Sequence, residues 1–282
     1  MRFYLINLDR SADRLEWMND QTAPLNLVMQ RVPAVDGHLL SADDWSRWAA
    51  VTSKRFGMGP GETACFLSHR RVWQMMIDND EPWAFIAEDD IHLCETACHF
   101  MQDSSWIPAD ADLVKAETAR QRVWLAPRAT SICYGHALHR LRSSHGGSAG
   151  YFISRHAASK LLSATETLCS IPDQVLFNPV LGIAPQLKIY QMDPAICIQD
   201  WLVAAQPREK RLGSLLLFER QQFHEALQPR HRLKSAYLWY KLSNPVHKAG
   251  RASISLAANK LGTHVVKKIP FEARPAYQRA AS

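Results

Sequence analysis

An α/β fold follows from three features of the sequence. The chain opens on an apolar, strand-forming run, Arg2 to Leu8, that passes through Asp9-Arg10-Ser11 straight into a helical pattern. A second apolar run, Pro82 to Ala87, comes after a helical stretch and ends in acids. A third, Gly147 to Ser154, enters on glycine and leads into helical residues 156–164. Strands that alternate with helices build a sheet with helices packed against it.

Along the chain, Ser11 is placed to cap the first helix, whose Leu15 and Met18 share a face. Leu27 to Val32 is a strand that ends at Pro33-Ala34-Val35-Asp36-Gly37, where Asp-Gly signals a turn. Gly57 to Glu62 reads as a flexible loop, and Thr63 to Ile77 as a helix with Cys65, Phe66, Val72, Trp73 and Met76 apolar. Cys65, beside Phe66, reads as packing rather than as a nucleophile. Leu187 to Gln191 and Ala195 to Ile198 are late strands. Beyond Pro207 the pattern turns helical, basic and aromatic, which divides the chain into a catalytic-type region, 1–205, and a mainly helical region, 206–282.

Composition narrows the function. At 282 residues, 47% hydrophobic and 21% charged, the chain is long enough to bury about three-quarters of its unfolded surface without disulfides. Mean hydropathy is −0.23, and no uncharged apolar run approaches the ~18 residues of a spanning helix. Asp9 interrupts the N-terminus before a signal-peptide core can form, so a cytoplasmic location is expected. The six scattered cysteines, with no CxxC, then read as reduced thiols. The net charge of +6 averages two unlike regions. Residues 206–282 hold 15 Lys/Arg against 4 Asp/Glu, and residues 1–205 hold 18 against 23. A basic tail on an acidic body points to an anionic partner.

The chemistry concentrates in Glu88-Asp89-Asp90, at the end of the Pro82–Ala87 strand. Adjacent carboxylates repel unless they are solvated or neutralised, and in an α/β sheet ligands bind at the carboxyl ends of strands. Oxygen donors in this number suit Mg²⁺ or Mn²⁺ holding a phosphate, with Glu88 and Asp90 on one side of the strand and Asp89 on the other. A solvated acidic turn is the plainer alternative. At the end of the first strand Asn7 can pair with a base or ribose edge, and Arg14 can fork onto a phosphate, or else pair with a surface acid. Gly61 opens a helix that carries Ser68 and His69 about one and a half turns in, within reach of an anion. No Gly-x-Ser-x-Gly elbow accompanies them, so a hydrolase is not indicated. Asp173, after Pro172, is a helix cap or a general base facing a cleft. His136 and His139 stand at helix-turn spacing without further ligands, a weak zinc signal.

In order, these motifs resemble glycosyltransferase family 25, the lipopolysaccharide-biosynthesis galactosyltransferases. The matching pieces are Ile6-Asn7-Leu8-Asp9-Arg10 with Arg14; Pro33 to Gly37; Gly61-Glu62 with Cys65 and Leu67-Ser68-His69; Glu88-Asp89-Asp90; Gly150 to Ser154; and Pro172-Asp173. Ala64 stands where the family usually has glycine, and Asp112 to Thr118 follows the family's middle strand only in part. The resemblance implies a GT-A-like α/β/α sandwich with a mixed central sheet, binding a nucleotide sugar, usually UDP-galactose, with Mn²⁺ or Mg²⁺. It implies inverting transfer to a glycan such as a lipooligosaccharide core. It places Asn7, Asp9, Arg14, Val35, Asp36, Gly37, Ser68, His69 and Asp89 around the nucleotide, with Glu88 and Asp90 as the metal ligands. An inverting reaction needs one base to deprotonate the acceptor; Asp173 is the first candidate and Glu117 the second.

The tail segment His231 to Lys241 mixes basic and interfacial aromatic residues in helical register, which fits an anionic membrane surface on the inner face. A helical cap on the body is the alternative, and no nucleic-acid-reading motif is present. The competing function is a non-catalytic nucleotide- or glycan-binding protein of the same fold.

Overall fold

The computed structural model describes residues 1–49, 58–179, 181–203, 212 and 262–272. Its first half runs β1 (Arg2–Asn7), α1 (Ala12–Thr22), β2 (Gln30–Pro33), α2 (Ala42–Ala49), α3 (Pro60–Asp78), β3 (Trp83–Glu88), β4 (Ile91–Leu93) and α4 (Ala97–Gln102). There follow β5 (Leu113–Lys115), β6 (Arg122–Leu125), β7 (Ser131–Cys133), β8 (His136–Arg140), β9 (Gly150–Ser154), α5 (Arg155–Ala164), α6 (Pro172–Phe177), β10 (Ile189–Asp193), β11 (Cys197–Gln199) and β12 (Val265–Lys268).

Eight strands form one mixed sheet in the order β2-β1-β3-β9-β5-β10-β8-β7. β1 is parallel to both β2 and β3, and β5 to β10; the remaining pairings are antiparallel. Side chains alternate between two cores. Phe3, Leu5, Phe85, Ala87 and Phe152 pack with Met18 of α1 and Phe100 of α4 on one face. Tyr4, Ile6, Ala84, Ile86, Tyr151 and Ile153 pack with Phe66 and Trp73 of α3, Leu161 of α5 and Phe177 of α6 on the other. Burial on both faces is why these strands read as continuous apolar runs rather than as polar–apolar alternation. The fold is thus the mixed-sheet α/β/α sandwich that the sequence predicts.

Several local readings change. α3 begins at Pro60, so Pro60 to Glu62 is helix rather than loop. Proline at the first helical position costs no hydrogen bond, and Glu62 Oε2 accepts from the Gly59 N–H at 3.3 Å, closing the turn. Ser11 occupies the N-cap of α1 without a capping bond from its side chain; the turn is closed by its N–H to the Leu8 carbonyl at 2.9 Å. His136 and His139 lie on β8, where residues three apart face opposite ways, so the helix-turn spacing behind the zinc reading does not exist. Within the region expected to be helical, Val265–Lys268 is a strand antiparallel to β6. Apart from Leu212 and residues 262–272, region 206–282, with its 231–241 segment, lies outside the described residues. No helix among the described residues is long and apolar enough to cross a membrane.

One buried histidine ties the middle of the sheet together. His145 Nδ1 lies 2.7 Å from Gln191 Oε1 on β10, and its Nε2 accepts from the Ala119 N–H at 3.2 Å. Gln191 Nε2 in turn donates to the carbonyls of Lys115 and Glu117, both at 3.2 Å. Burial, reinforced by the Lys115 charge, lowers the His145 pKa from 6.5 to about 3. The folded protein therefore holds this ring neutral while the unfolded chain protonates it, so its stabilising contribution is complete above pH 6.5 and is lost as pH falls toward 3. Urea unfolding between pH 7 and 4 is expected to show a stability loss approaching about 1.4 kcal/mol per pH unit from this group. His145→Gln should flatten that slope; an unchanged slope refutes the assignment.

Candidate active site

The strand order reverses around β1: the chain passes from β1 to β2 on one side and then to β3 on the other. Where parallel strands diverge in this way, the helices that follow them leave a crevice at their carboxyl ends. A cleft is found there, lined by Ile6 and Leu8 at the end of β1, Val35 and Gly37 after β2, Gly61, Cys65, Ser68 and His69 from α3, and Glu88, Asp89 and Asp90 at the end of β3.

The three acids have three different surroundings. β3 ends at Glu88, so the strand alternation expected to send Asp89 the other way stops there, and all three line one cleft. Asp89 accepts from Asn7 Nδ2 at 2.8 Å and from Arg14 at 2.9 Å, a pair in which each side chain is about 90% buried. Burial raises the Asp89 pKa and the Arg14 charge opposes that. Glu88 Oε1 accepts from the Ser148 hydroxyl at 3.0 Å and lies 3.3 Å from His69 Nε2. Asp90 is the least compensated: Gln199 Nε2 stands at 3.4 Å and Arg14 at 3.9 Å. Burial pushes its pKa well up, and the neighbouring Glu88 and Asp89 charges push further.

The glycine at 37 has a steric reason. A Cβ there would lie 2.8 Å from Gly61 Cα, so the turn after β2 packs backbone to backbone on the first turn of α3. Ser68 holds the same turn from the helix side: its hydroxyl accepts from the Val35 N–H at 2.8 Å and donates to the Ala64 carbonyl at 2.7 Å. His69 Nδ1 lies 2.9 Å from the Tyr151 hydroxyl, which also accepts from Trp73 Nε1 at 2.9 Å.

A second acidic group stands behind the cleft. The residues leading into β9 donate in turn to three carboxylates: Gly147 N–H to Asp173 Oδ2 at 3.2 Å, Ser148 hydroxyl to Glu88, and Ala149 N–H to Glu117 Oε2 at 3.0 Å. Glu117 is fully buried against Lys115 Nζ at 3.2 Å, and burial raises its pKa, partly offset by that lysine. Glu117 Oε1 and Asp173 Oδ1 are buried with no hydrogen-bond partner.

These acids, collected at a switch-point crevice, are the arrangement the N-terminal motifs imply, and comparison with known proteins agrees. Residues 1–176 match the family model described as glycosyltransferase family 25 (LPS biosynthesis protein). The chain belongs to glycosyltransferase family 25. Among curated relatives, the lacto-N-neotetraose biosynthesis glycosyltransferase LgtB of Neisseria meningitidis serogroup A is 31% identical over 170 residues, 56% of this chain and 60% of the relative. The lipooligosaccharide biosynthesis protein lic2B of Haemophilus influenzae is 31% identical over 175 residues, 58% and 62% respectively. The chain thus spans less than two thirds of the length of these relatives. A solved glycosyltransferase involved in glycosylation of the major capsid of PBCV-1 aligns with 80% of this chain and 100% of its own at 7% identity and TM-score 0.39.

In this family-25 chain, Arg14, Val35, Gly37, Ser68, His69, Glu88, Asp89 and Asp90 line the cleft. Arg14, expected on a phosphate, is bonded to Asp89 and to the Leu212 carbonyl. Asn7, expected on a base or ribose, donates to the Ser11 carbonyl and to Asp89 and accepts from Arg31, so it holds Asp89. Asp9 and Asp36 pair with Arg31 and Arg10 and line an adjacent depression. Cys65 also lines the cleft, while Phe66 beside it enters the core; the packing role belongs to the phenylalanine. Gln199, Ser148, Lys115 and Tyr151 are absent from the sequence-based site, because each reaches it from a segment distant in the chain, on or next to another strand. Arg14→Met should leave Asp89 buried and unpaired and cost about 3–5 kcal/mol in urea unfolding. Adding Asp89→Leu should restore most of that loss; no recovery would show that the pair is not the cause.

Proposed function

We propose that this chain transfers a hexose, galactose in the simplest case, from a UDP-hexose to a hydroxyl of a lipooligosaccharide-type glycan, with inversion and with a divalent cation. The observation that carries the reading is the switch-point cleft in which Glu88 and Asp90 face one space. The relatives named for lacto-N-neotetraose and lipooligosaccharide biosynthesis support a glycan acceptor.

The donor set fits a hard cation. A buried and a partly buried carboxylate share the cleft, and a positive charge between them would offset both the burial and the Glu88 repulsion that raise the Asp90 pKa. Mg²⁺ is commonly held by one or two carboxylates together with substrate phosphates, so Glu88 and Asp90 suffice on the protein side. When bound, the cation would supply charge stabilisation to the departing diphosphate. Gly61 brings the N-terminal turn of the 19-residue α3 to the cleft, and the dipole of that helix favours an anion there. Arg14 and Asn7 oppose the burial that raises the Asp89 pKa and hold it in place, while His69 and Ser148 orient Glu88.

The acceptor proton needs a base with a free lone pair. Asp173 Oδ2 is fixed by Gly147, which leaves Oδ1 without a partner. Glu117 Oε1 is likewise without a partner, but Glu117 is paired with Lys115 and has no exposed surface, whereas Asp173 is partly exposed. Those facts favour Asp173 as the base and give Glu117 the task of holding the Gly147–Ala149 turn. The basic region 206–282 would keep the enzyme on the inner membrane face, each Lys/Arg adding about 1 kcal/mol at an anionic surface.

UDP release that requires both Mn²⁺ or Mg²⁺ and a glycan acceptor is expected; nucleotide binding without turnover would favour a binding protein instead. Asp90→Asn should lower turnover by about 10²-fold or more, as loss of a charge-stabilising group does. Asp173→Asn should lose about 10²–10⁴-fold, the usual worth of a general base. Near-wild-type transfer by Asp173→Asn, with Asp90→Asn inactive, would refute the base assignment. Deletion after residue 230 should reduce co-sedimentation with anionic vesicles; unchanged binding would refute the membrane role.

A further inference from the structure

The cleft holds a second set of metal donors that a hard cation does not explain. Cys65 and His69 stand four residues apart on α3 and so share a helix face, and Glu88 meets them from the end of β3. One ligand atom from each lies within 4.8 Å of the others, and no other His/Cys/carboxylate trio of this kind is found among the described residues. In a tetrahedral zinc site such atoms stand about 3.3–3.6 Å apart. His69 Nε2 and Glu88 Oε1 are already at 3.3 Å, and the half-buried Cys65 side chain has only a short distance to close.

The surroundings complete the pattern. A metal-bound imidazole needs its other nitrogen held, and His69 Nδ1 lies 2.9 Å from the Tyr151 oxygen, which Trp73 anchors on its far side. Without a metal, Nε2–H donates to Glu88; in the metal-bound tautomer the proton sits on Nδ1, donating to Tyr151, and the Nε2 lone pair is free for the ion between Glu88 and Cys65. Sulfur, nitrogen and one carboxylate oxygen select a borderline-soft ion over Mg²⁺, and three protein ligands leave one position open to the cleft.

We propose that Cys65, His69 and Glu88 form a site for a thiophilic divalent cation, zinc being the type, and that its occupation blocks the hard cation because both sites require Glu88. Binding breaks the Cys65 S–H bond, forms the sulfur–metal bond and releases the proton to solvent. The competition rests on the function proposed above; the binding does not.

The test uses the full chain under reducing conditions with Co²⁺ alone as the spectroscopic probe. One equivalent should produce thiolate-to-cobalt charge-transfer absorption and tetrahedral d–d bands, both abolished by Zn²⁺ and not by Mg²⁺. Cys65→Ser, verified as folded by its melting curve, should lose the charge-transfer band and bind Zn²⁺ at least about tenfold more weakly. No band in the wild type, or a band that persists in Cys65→Ser, overturns the site. In the UDP-release assay with Mn²⁺, each protein is compared with its own zinc-free rate. Zinc should inhibit the wild type at lower concentration than Cys65→Ser, and equal inhibition overturns the competition. The cobalt spectrum is recorded without donor, so it judges the site whether or not the transferase reading holds.

Discussion

Three carboxylates on consecutive residues end a strand that is buried on both faces, and most of the surrounding structure answers that electrostatic problem. Asp89 is neutralised by Arg14, one turn into α1, and is held by Asn7 at the end of β1. Glu88 is tethered by His69 from α3 and by Ser148 from the turn before β9. Among the described residues, the side chain of Asp90 keeps only long contacts, to Gln199 and Arg14. A buried charge without a partner is expensive, so the fold concentrates positive charge and hydrogen-bond donors around two of the acids. The third remains the least compensated of them.

The second constraint is the Gly147–Ala149 turn. Its successive donors hold Asp173, Glu88 and Glu117, so one short segment sets the spacing among acids that come from three parts of the chain. A Cβ at Gly147 would lie 2.3 Å from Glu117 Oε1, and its φ is +84°. Both facts require glycine, the residue that tolerates this backbone conformation and this closeness. The turn therefore links a geometric demand of the backbone to the electrostatics of the cleft.

Much of the architecture was legible because burial on both faces writes itself as apolar runs. Arg2–Asn7, Trp83–Glu88 and Gly150–Ser154 were foreseen within a residue or a few. The short strands β4 and β6 to β8 were not, since three to five residues carry too little pattern to stand apart from loops, and β5 was marked only by its partial match to the family's middle strand. Val265–Lys268 was hidden by a basic, helix-like neighbourhood; pairing with β6 decided its conformation. In the site, residue types were readable and partners were not. Arg14 looked like a phosphate ligand because nothing local shows that Asp89, 75 residues later, lies beside it. Cys65 looked like core because it neighbours Phe66, yet adjacent helical residues point about 100° apart.

The sequence by itself determined the layered α/β class, the acidic strand end, the glycine-entered helix and the family, since each is carried by residues close together in the chain. Only the tertiary structure decided which acid is paired, which is held and which stays uncompensated. It also decided that Asp173 and Glu117 each keep one buried oxygen without a partner while only Glu117 is sealed against a lysine, and that a thiol, an imidazole and a carboxylate converge. Those outcomes depend on distance and burial between groups tens of residues apart, and electrostatic energy inside a protein is set by both.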